Sequence, residues 1–211
     1  MSKIQEIATA VENGKTKIVA GLVQEALAEG VDAQEILNVG MIQAMDIVGA
    51  KFGRGDIFVP EMLVAAKAMK NGVEVLKPKL AAAGSASLGK VVIGTVVGDL
   101  HDIGKNLVAM MIESAGFEVK DLGVDVPVVK FVEAVESDPD VKIMAVSALL
   151  TTTMPAMKDT VDALNASKDR ERFKVLVGGA PITQDFADQI KADSYAPDAA
   201  SAAKAAKALM A

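Results

Sequence analysis

The chain of 211 residues holds a single histidine, His101, in the segment Gly98-Asp99-Leu100-His101-Asp102-Ile103-Gly104. One nitrogen of an imidazole can donate its lone pair to a metal ion. A carboxylate two residues upstream can hold the N–H of the other nitrogen and so set tautomer and ring orientation. Asp99 stands at that spacing. The segment directly follows an aliphatic, β-branched run, Val91-Val92-Ile93-Gly94-Thr95-Val96-Val97, and residues just past a buried strand are where open α/β sheets bind ligands.

Several other chemistries are excluded. The chain has no cysteine, hence no disulfide, thiolate nucleophile or Cys-ligated cluster. One histidine falls short of the roughly three or four His/Cys-rich ligands that zinc sites use. His101-Asp102 superficially matches the histidine–aspartate pair of metal-dependent phosphohydrolases, but those sites need several further histidines. There is no Gly-x-Ser-x-Gly elbow for a Ser-His-Asp nucleophile. After the aliphatic run comes neither Gly-x-Gly-x-x-Gly nor a full Walker segment, so dinucleotide and nucleoside triphosphate binding lose their main support.

The elements that must position Asp99 and His101 fall into two halves of different pattern. Up to about Ala83, apolar residues recur at three- and four-residue spacing: Ile4, Ile7, Ala8 and Val11, then Ile18, Leu22 and Ala26, with a break at Asn13-Gly14. Asp32 can cap a third helix, with Glu35 completing a capping-box-like pattern. That helix runs from Ile36 to Val48 and ends near the loop Phe52-Gly53-Arg54-Gly55-Asp56. Pro60 can open a fourth helix whose apolar face is Leu63, Ala66, Met69 and Val73. Residues 1–83 are therefore expected to form a helical bundle. Residues 84–89, Gly-Ser-Ala-Ser-Leu-Gly, have linker composition and supply plausible hinge material.

Residues 90–211 alternate strands and helices. Further strands are expected at Phe117–Leu122, Ile143–Ser147, Phe173–Val177 and near Ser194-Tyr195, with helices over Lys105–Ala115, about Val129–Glu136, Met154–Leu164, after Thr183 and at the C-terminus. Such alternation predicts a doubly wound parallel sheet of five strands in flavodoxin-like order, an α/β domain behind a helical cap. Composition agrees: 51% of residues are hydrophobic but only 3% aromatic, so the core is aliphatic. A net charge of −6, evenly spread, argues against nucleic acid as a partner. The absence of any long apolar span argues against a membrane one, and a cytoplasmic location is expected.

Three loops then meet at one sheet edge. The first carries Asp99, His101 and Gly104. The third strand runs into Ser147-Ala148-Leu149-Leu150-Thr151-Thr152-Thr153, and the fourth into Gly178-Gly179-Ala180-Pro181. With Gly98 to Asn106, Ser147-x-Leu149 and Gly178-Gly179, the sheet half resembles cobalamin-binding domains that displace the cofactor's own base and put a histidine on cobalt. The helical half, through Val48-Gly49-x-x-Phe52-x-x-Gly55-x-x-Phe58-x-Pro60, resembles the cap of the methyl-carrying members. The likeness covers essentially the whole chain. It is to corrinoid proteins of anaerobic methyltransferase systems, relatives of the cobalamin module of methionine synthase.

The resemblance implies a cobalamin cofactor with His101 as lower axial cobalt ligand, Asp99 bonded to its other nitrogen and Thr153, where the family usually has serine, extending the relay. It implies cofactor contacts from Asp102, Gly104, Ser147, Leu149, Thr151, Gly178 and Gly179, the glycines giving the nucleotide tail close approach. Phe52 and Val59, the latter often leucine in the family, would shield the methyl group. The implied activity is methyl carrying, from a donor-specific methyltransferase to an acceptor methyltransferase using a tetrahydrofolate or a thiol, with a reductive activator as third partner. The rivals are an adenosylcobalamin mutase small subunit and a cobalamin-sensing or storage module.

Overall fold

The computed structural model describes residues 2–82 and 87–210. Gly84, Ser85 and Ala86 of the expected linker lie outside the described residues. The chain divides into two compact units, Met1–Ala86 with Ser114–Gly116, and Ser87–Glu113 with Phe117–Ala211.

The first unit is helical. Helix α1 (Lys3–Glu12) starts at a reciprocal capping box that the sequence analysis did not single out: Ser2 Oγ accepts the Gln5 N–H at 3.3 Å and the Gln5 side chain accepts the Ser2 N–H at 3.1 Å. Gly14, at φ +63°, turns the chain toward α2 (Val19–Ala28), where a side chain would be strained and would collide with Val64. Asp32 caps α3 (Ala33–Glu35) as expected, accepting the N–H groups of Gln34 and Glu35. The continuation differs from a plain helix. Ile36–Ile42 is π-helical before α4 (Gln43–Gly53) resumes the α form, so Phe52 sits in a last helical turn rather than in a loop.

Helix α5 (Val59–Ala82) has Pro60 in its first turn, where no N–H is needed. Its most buried face is Met62, Ala65, Ala66, Met69 and Leu76; Leu63 and Val73, expected there, are only half-buried. The reason is Gly72: a Cβ on it would meet Met41 Cε at 2.4 Å and Val19 Cγ1 at 2.9 Å, so the missing side chain sets the line of closest approach between helices. A pattern search that counts only apolar residues passes over that glycine.

The second unit is a five-stranded, all-parallel sheet in the order β2-β1-β3-β4-β5, with β1 Lys90–Thr95, β2 Glu118–Asp121, β3 Val141–Ser147, β4 Lys174–Gly178 and β5 Ser194–Ala196. The helices between them are α6 (Ile103–Ser114), α7 (Val128–Glu136), α8 (Met154–Asn165), α9 (Gln184–Gln189) and α10 (Ala199–Leu209). Val92, Met144, Val146, Val175 and Val177 pack with Phe131 of α7 and Met157, Val161 and Leu164 of α8. The alternate residues Val91, Ile93, Ile143, Ala145 and Leu176 are equally buried, so both faces of the sheet are covered. Edge strand β2, Glu-Val-Lys-Asp, is mostly exposed and charged, which suits an edge that must not recruit another strand.

Register decides where the loops meet. Thr95 pairs with Ser147, Ser147 with Gly178 and Gly178 with Ala196, so four strands end in one row. The chain leaves β1 toward β2 on one side, while β3 leads to β4 on the other. The crevice of this topology therefore opens between the ends of β1 and β3.

Candidate functional site

Asp99 is the centre of that crevice. Its side chain is fully buried, and every approach to its carboxylate is a donor. Oδ1 accepts His101 Nδ1–H at 2.8 Å and the His101 backbone N–H at 3.1 Å. Oδ2 accepts the Leu149 N–H at 2.7 Å and faces the Thr153 hydroxyl at 2.8 Å. A buried carboxylate is tolerable only when paired in this way. Burial by itself would raise its pKa. The Leu149 N–H, the imidazole, the His101 N–H and the Thr153 hydroxyl together outweigh that and hold it at about 2.

An ionised carboxylate can only accept, so the proton of the neutral ring sits on Nδ1 and the lone pair on Nε2. The His101 side chain is 50% exposed, whereas Asp99 is at 0%. The ring is thus anchored at one nitrogen and open at the other. Thr95 adds a restraint that the sequence analysis missed: its buried hydroxyl donates to the His101 carbonyl at 3.0 Å. Its only signal is a hydroxyl in an otherwise aliphatic strand, which β-branching alone explains equally well.

The Thr153 hydroxyl also lies 2.9 Å from the Leu150 carbonyl. With one proton it donates to a single acceptor at a time, and the charged one is the stronger. Its extra methyl, Cγ2, lies 3.9 Å from where a Cβ of Gly98 would be, an ordinary contact, so threonine fits where a serine would serve.

The remaining expected residues are placed as follows. Ser147 ends β3, half-buried beside Thr95 and Gly178. Leu149 and Thr151 are exposed, and Leu149 contributes its backbone N–H rather than its side chain to Asp99. Asp102 is exposed just before α6, and its carbonyl accepts the Asn106 N–H at 2.7 Å. Gly104 has nothing within 4 Å of a would-be Cβ. Gly178 and Gly179 answer to the protein's own backbone: a Cβ would come 2.8 Å from the Ala196 carbonyl oxygen and 1.8 Å from that of Ala148, respectively. Phe52 and Val59 belong to the first unit, half-buried at the end of α4 and the start of α5. Leu100 and Ile103 present exposed apolar side chains either side of His101.

Asp99, His101 and Thr153 are therefore brought together, with a row of small or hydroxylic residues along the strand ends. Among the described residues no group of three or more His, Cys, Asp or Glu could hold a metal ion. A metal held at His101 would have to bring most of its ligands with it. Imidazole with a hydrogen-bonded second nitrogen suits a borderline transition-metal ion, and exposed apolar neighbours suit a flat organic frame around it. Among the described residues no helix is long and apolar enough to cross a membrane.

Comparison with known proteins gives this arrangement its family. Residues 89–209 and residues 3–77 each match a B12 binding domain family. The chain is 46% identical over 210 residues to dimethylamine corrinoid protein 1 of Methanosarcina acetivorans, covering 99% of this chain and 97% of that protein. It is 43% identical over 213 residues to the trimethylamine corrinoid protein of Methanosarcina barkeri, covering 100% and 96%. The crystal structure of the methanol:cobalamin methyltransferase complex of Methanosarcina barkeri superposes with a TM-score of 0.84 at 33% identity, over 99% of this chain and 79% of that one.

Proposed function

The chain belongs to the B12-binding corrinoid proteins of methyltransferase systems, its cofactor is cobalamin, and on that premise we propose that it carries a methyl group from a methylamine-specific methyltransferase to an acceptor methyltransferase. The observation that carries the reading is the His101 ring, tied by Nδ1 to buried Asp99 and half exposed at the crevice. The bound cobalt supplies the nucleophilic and leaving-group chemistry of methyl transfer.

The protein's part is ligation, proton control and shielding. His101 would hold the metal through Nε2. Asp99 would keep the N–H on Nδ1, and Thr153 would keep Asp99 ionised. Off the metal, Nε2 would be the atom that holds a proton, with Nδ1 still bonded to Asp99. Gly104 and the hydroxyls of Ser147 and Thr151 would line the path of the displaced nucleotide tail, together with Asp102, Leu149, Gly178 and Gly179. Phe52 and Val59 would shield the reactive face from water. A thiol or a tetrahydrofolate would be the acceptor, a reductive activator would be the third partner, and the cytoplasm would be the location. The methylamine assignment rests on the names of the relatives.

The test is reconstitution with hydroxocobalamin, reduction of the bound cobalt with a low-potential chemical reductant, and then methyl transfer to a thiol through an acceptor methyltransferase, with dimethylamine, trimethylamine or methanol and the matching donor methyltransferase supplied in turn. Transfer with an amine enzyme is expected. Transfer with the methanol enzyme alone would overturn the donor assignment, and no bound cobalamin would overturn the function.

Gly104 offers a cleaner probe than Gly178 or Gly179. Because nothing surrounds its missing Cβ, Gly104→Ala is expected to leave thermal stability unchanged or raise it, by about 0.5–1 kcal/mol from helix propensity. Cobalamin affinity, measured by spectral titration, should nonetheless fall at least about tenfold, roughly the 1.4 kcal/mol that a modest steric clash costs. Unchanged affinity would remove Gly104 from the cofactor path.

A further inference from the structure

Besides the Thr95 hydroxyl on the His101 carbonyl and the contacts of the Asp99 side chain, the His101 loop is held from the β2 side. After β2 the chain keeps running beside β1: Leu122 N–H donates to Ile93, Thr95 N–H to Gly123, and Val126 N–H to Thr95, with Val126 bridged to Val96. Asp125 sits in this run at φ +52°, one of two non-glycine residues with positive φ among those described. That conformation is strained for a residue with a Cβ and persists when the surroundings over-determine it.

What over-determines it is a two-point grip on the Gly98-Asp99 segment that precedes the histidine. Asp125 Oδ1 accepts the Gly98 N–H at 2.7 Å, and the Asp125 N–H donates to the Asp99 carbonyl at 2.9 Å. Gly98 is itself in the left-handed region, at φ +81°, and is exposed, so without this acceptor its N–H would meet only water. The β3 loop therefore clamps the side chain of Asp99, while Asp125 clamps its backbone from the β2 side. Both clamps are needed to aim a side chain two residues further on, because a carboxylate held at one end still pivots about its own φ and ψ.

We propose that Asp125 is a positioning residue for His101: by gripping the Gly98 N–H and the Asp99 carbonyl it presents the imidazole ready-oriented toward the cofactor. It touches neither metal nor substrate and acts through Asp99. The inference rests on the proposed ligation of cobalt by His101.

Two substitutions separate positioning from mere folding. Asp125→Gly relieves the backbone strain and keeps the turn while removing the acceptor. Asp125→Asn tolerates the same φ and keeps an acceptor oxygen. In the cobalamin-free protein, amide hydrogen exchange at Gly98 is expected to quicken about tenfold or more in Asp125→Gly and to stay near wild type in Asp125→Asn. With hydroxocobalamin, Asp125→Gly should bind about ten- to hundredfold more weakly, and the bound fraction should shift toward the spectrum of cobalamin without histidine, as judged against His101→Ala. Asp125→Asn should restore both.

An Asp125→Gly protein with wild-type affinity and spectrum overturns the proposal, even if its melting temperature has fallen. So does an Asp125→Asn protein that behaves like Asp125→Gly. If wild type itself shows no histidine-dependent spectrum, it is the cobalt ligation that fails. Gly98 exchange then still reports whether the grip exists.

Discussion

Asp99→Ala is expected to destabilise the cobalamin-free protein by about 3–5 kcal/mol, the usual cost of removing one partner from a buried charged network. Four donors converge on that carboxylate, and among the described residues three of them have no second acceptor: the His101 ring N–H, the His101 backbone N–H and the Leu149 N–H. Thr153 loses least, because the Leu150 carbonyl stands ready for its hydroxyl. Urea unfolding at neutral pH measures the difference; a loss under about 1 kcal/mol would show that water replaces the carboxylate without penalty.

Asp99→Asn separates stability from chemistry. An amide that keeps its oxygen toward Leu149 and Thr153 must turn its NH2 toward His101, where it can donate to Nδ1 while the His101 backbone N–H loses its acceptor. The ring then accepts on Nδ1 and carries its proton on Nε2, the nitrogen that should face cobalt. The variant should fold, yet bind cobalamin without the histidine signature. Proton uptake on reduction should fall, and unchanged uptake would count against the relay.

The same carboxylate should show in acid. Its pKa is depressed from 3.8 to about 2, so between those values the unfolded chain binds the proton and the folded one does not. Stability contributed by Asp99 is then fully present above about pH 4 and lost as pH falls through about 2, amounting to about 2 kcal/mol. Asp99→Asn should lack this part of the acid limb when unfolding free energies are compared from pH 5 to pH 2.

His101→Ala should do the opposite: small in stability, large in function. The side chain is half exposed and gives up one hydrogen bond, so the unfolding free energy should move by no more than about 1 kcal/mol. The visible spectrum of bound cobalamin should shift to that of a cofactor lacking imidazole, and affinity should drop about a hundredfold or more, beyond the 10–100-fold typical of outer-shell changes. Free imidazole in the buffer should restore part of the spectrum. A variant with the wild-type spectrum would show that His101 is not the ligand.

Much of this arrangement was legible from residue types. The alternation of aliphatic runs with helical pattern reveals a parallel sheet, because a strand buried on both faces has little room for polar residues. Asp-x-His carries its own chemistry, since two residues of loop suffice for a carboxylate to reach Nδ1. The apolar face of α5 was harder to see: Gly72, not a large side chain, marks where the helices meet, and hydrophobic counting is blind to it. Gly178 and Gly179 were legible as a motif, but the structure supplies a reason inside the protein, the carbonyls of Ala196 and Ala148.

From sequence alone came the α/β class, the helical half before it, the lone histidine with its aspartate, and the hydroxyl-rich and glycine loops. Each is encoded locally, in periodicity or in neighbours a few residues apart. Thr153 on the Asp99 carboxylate was already implied by the resemblance; the tertiary structure alone decided that the Leu149 N–H, some fifty residues downstream, joins it, that Thr95 holds the His101 carbonyl, and that Asp125 grips Gly98. These contacts depend on strand order and register, which place Thr95, Ser147 and Gly178 in one row. Register is a property of paired strands, fixed by packing on both faces of the sheet, and no single segment carries it.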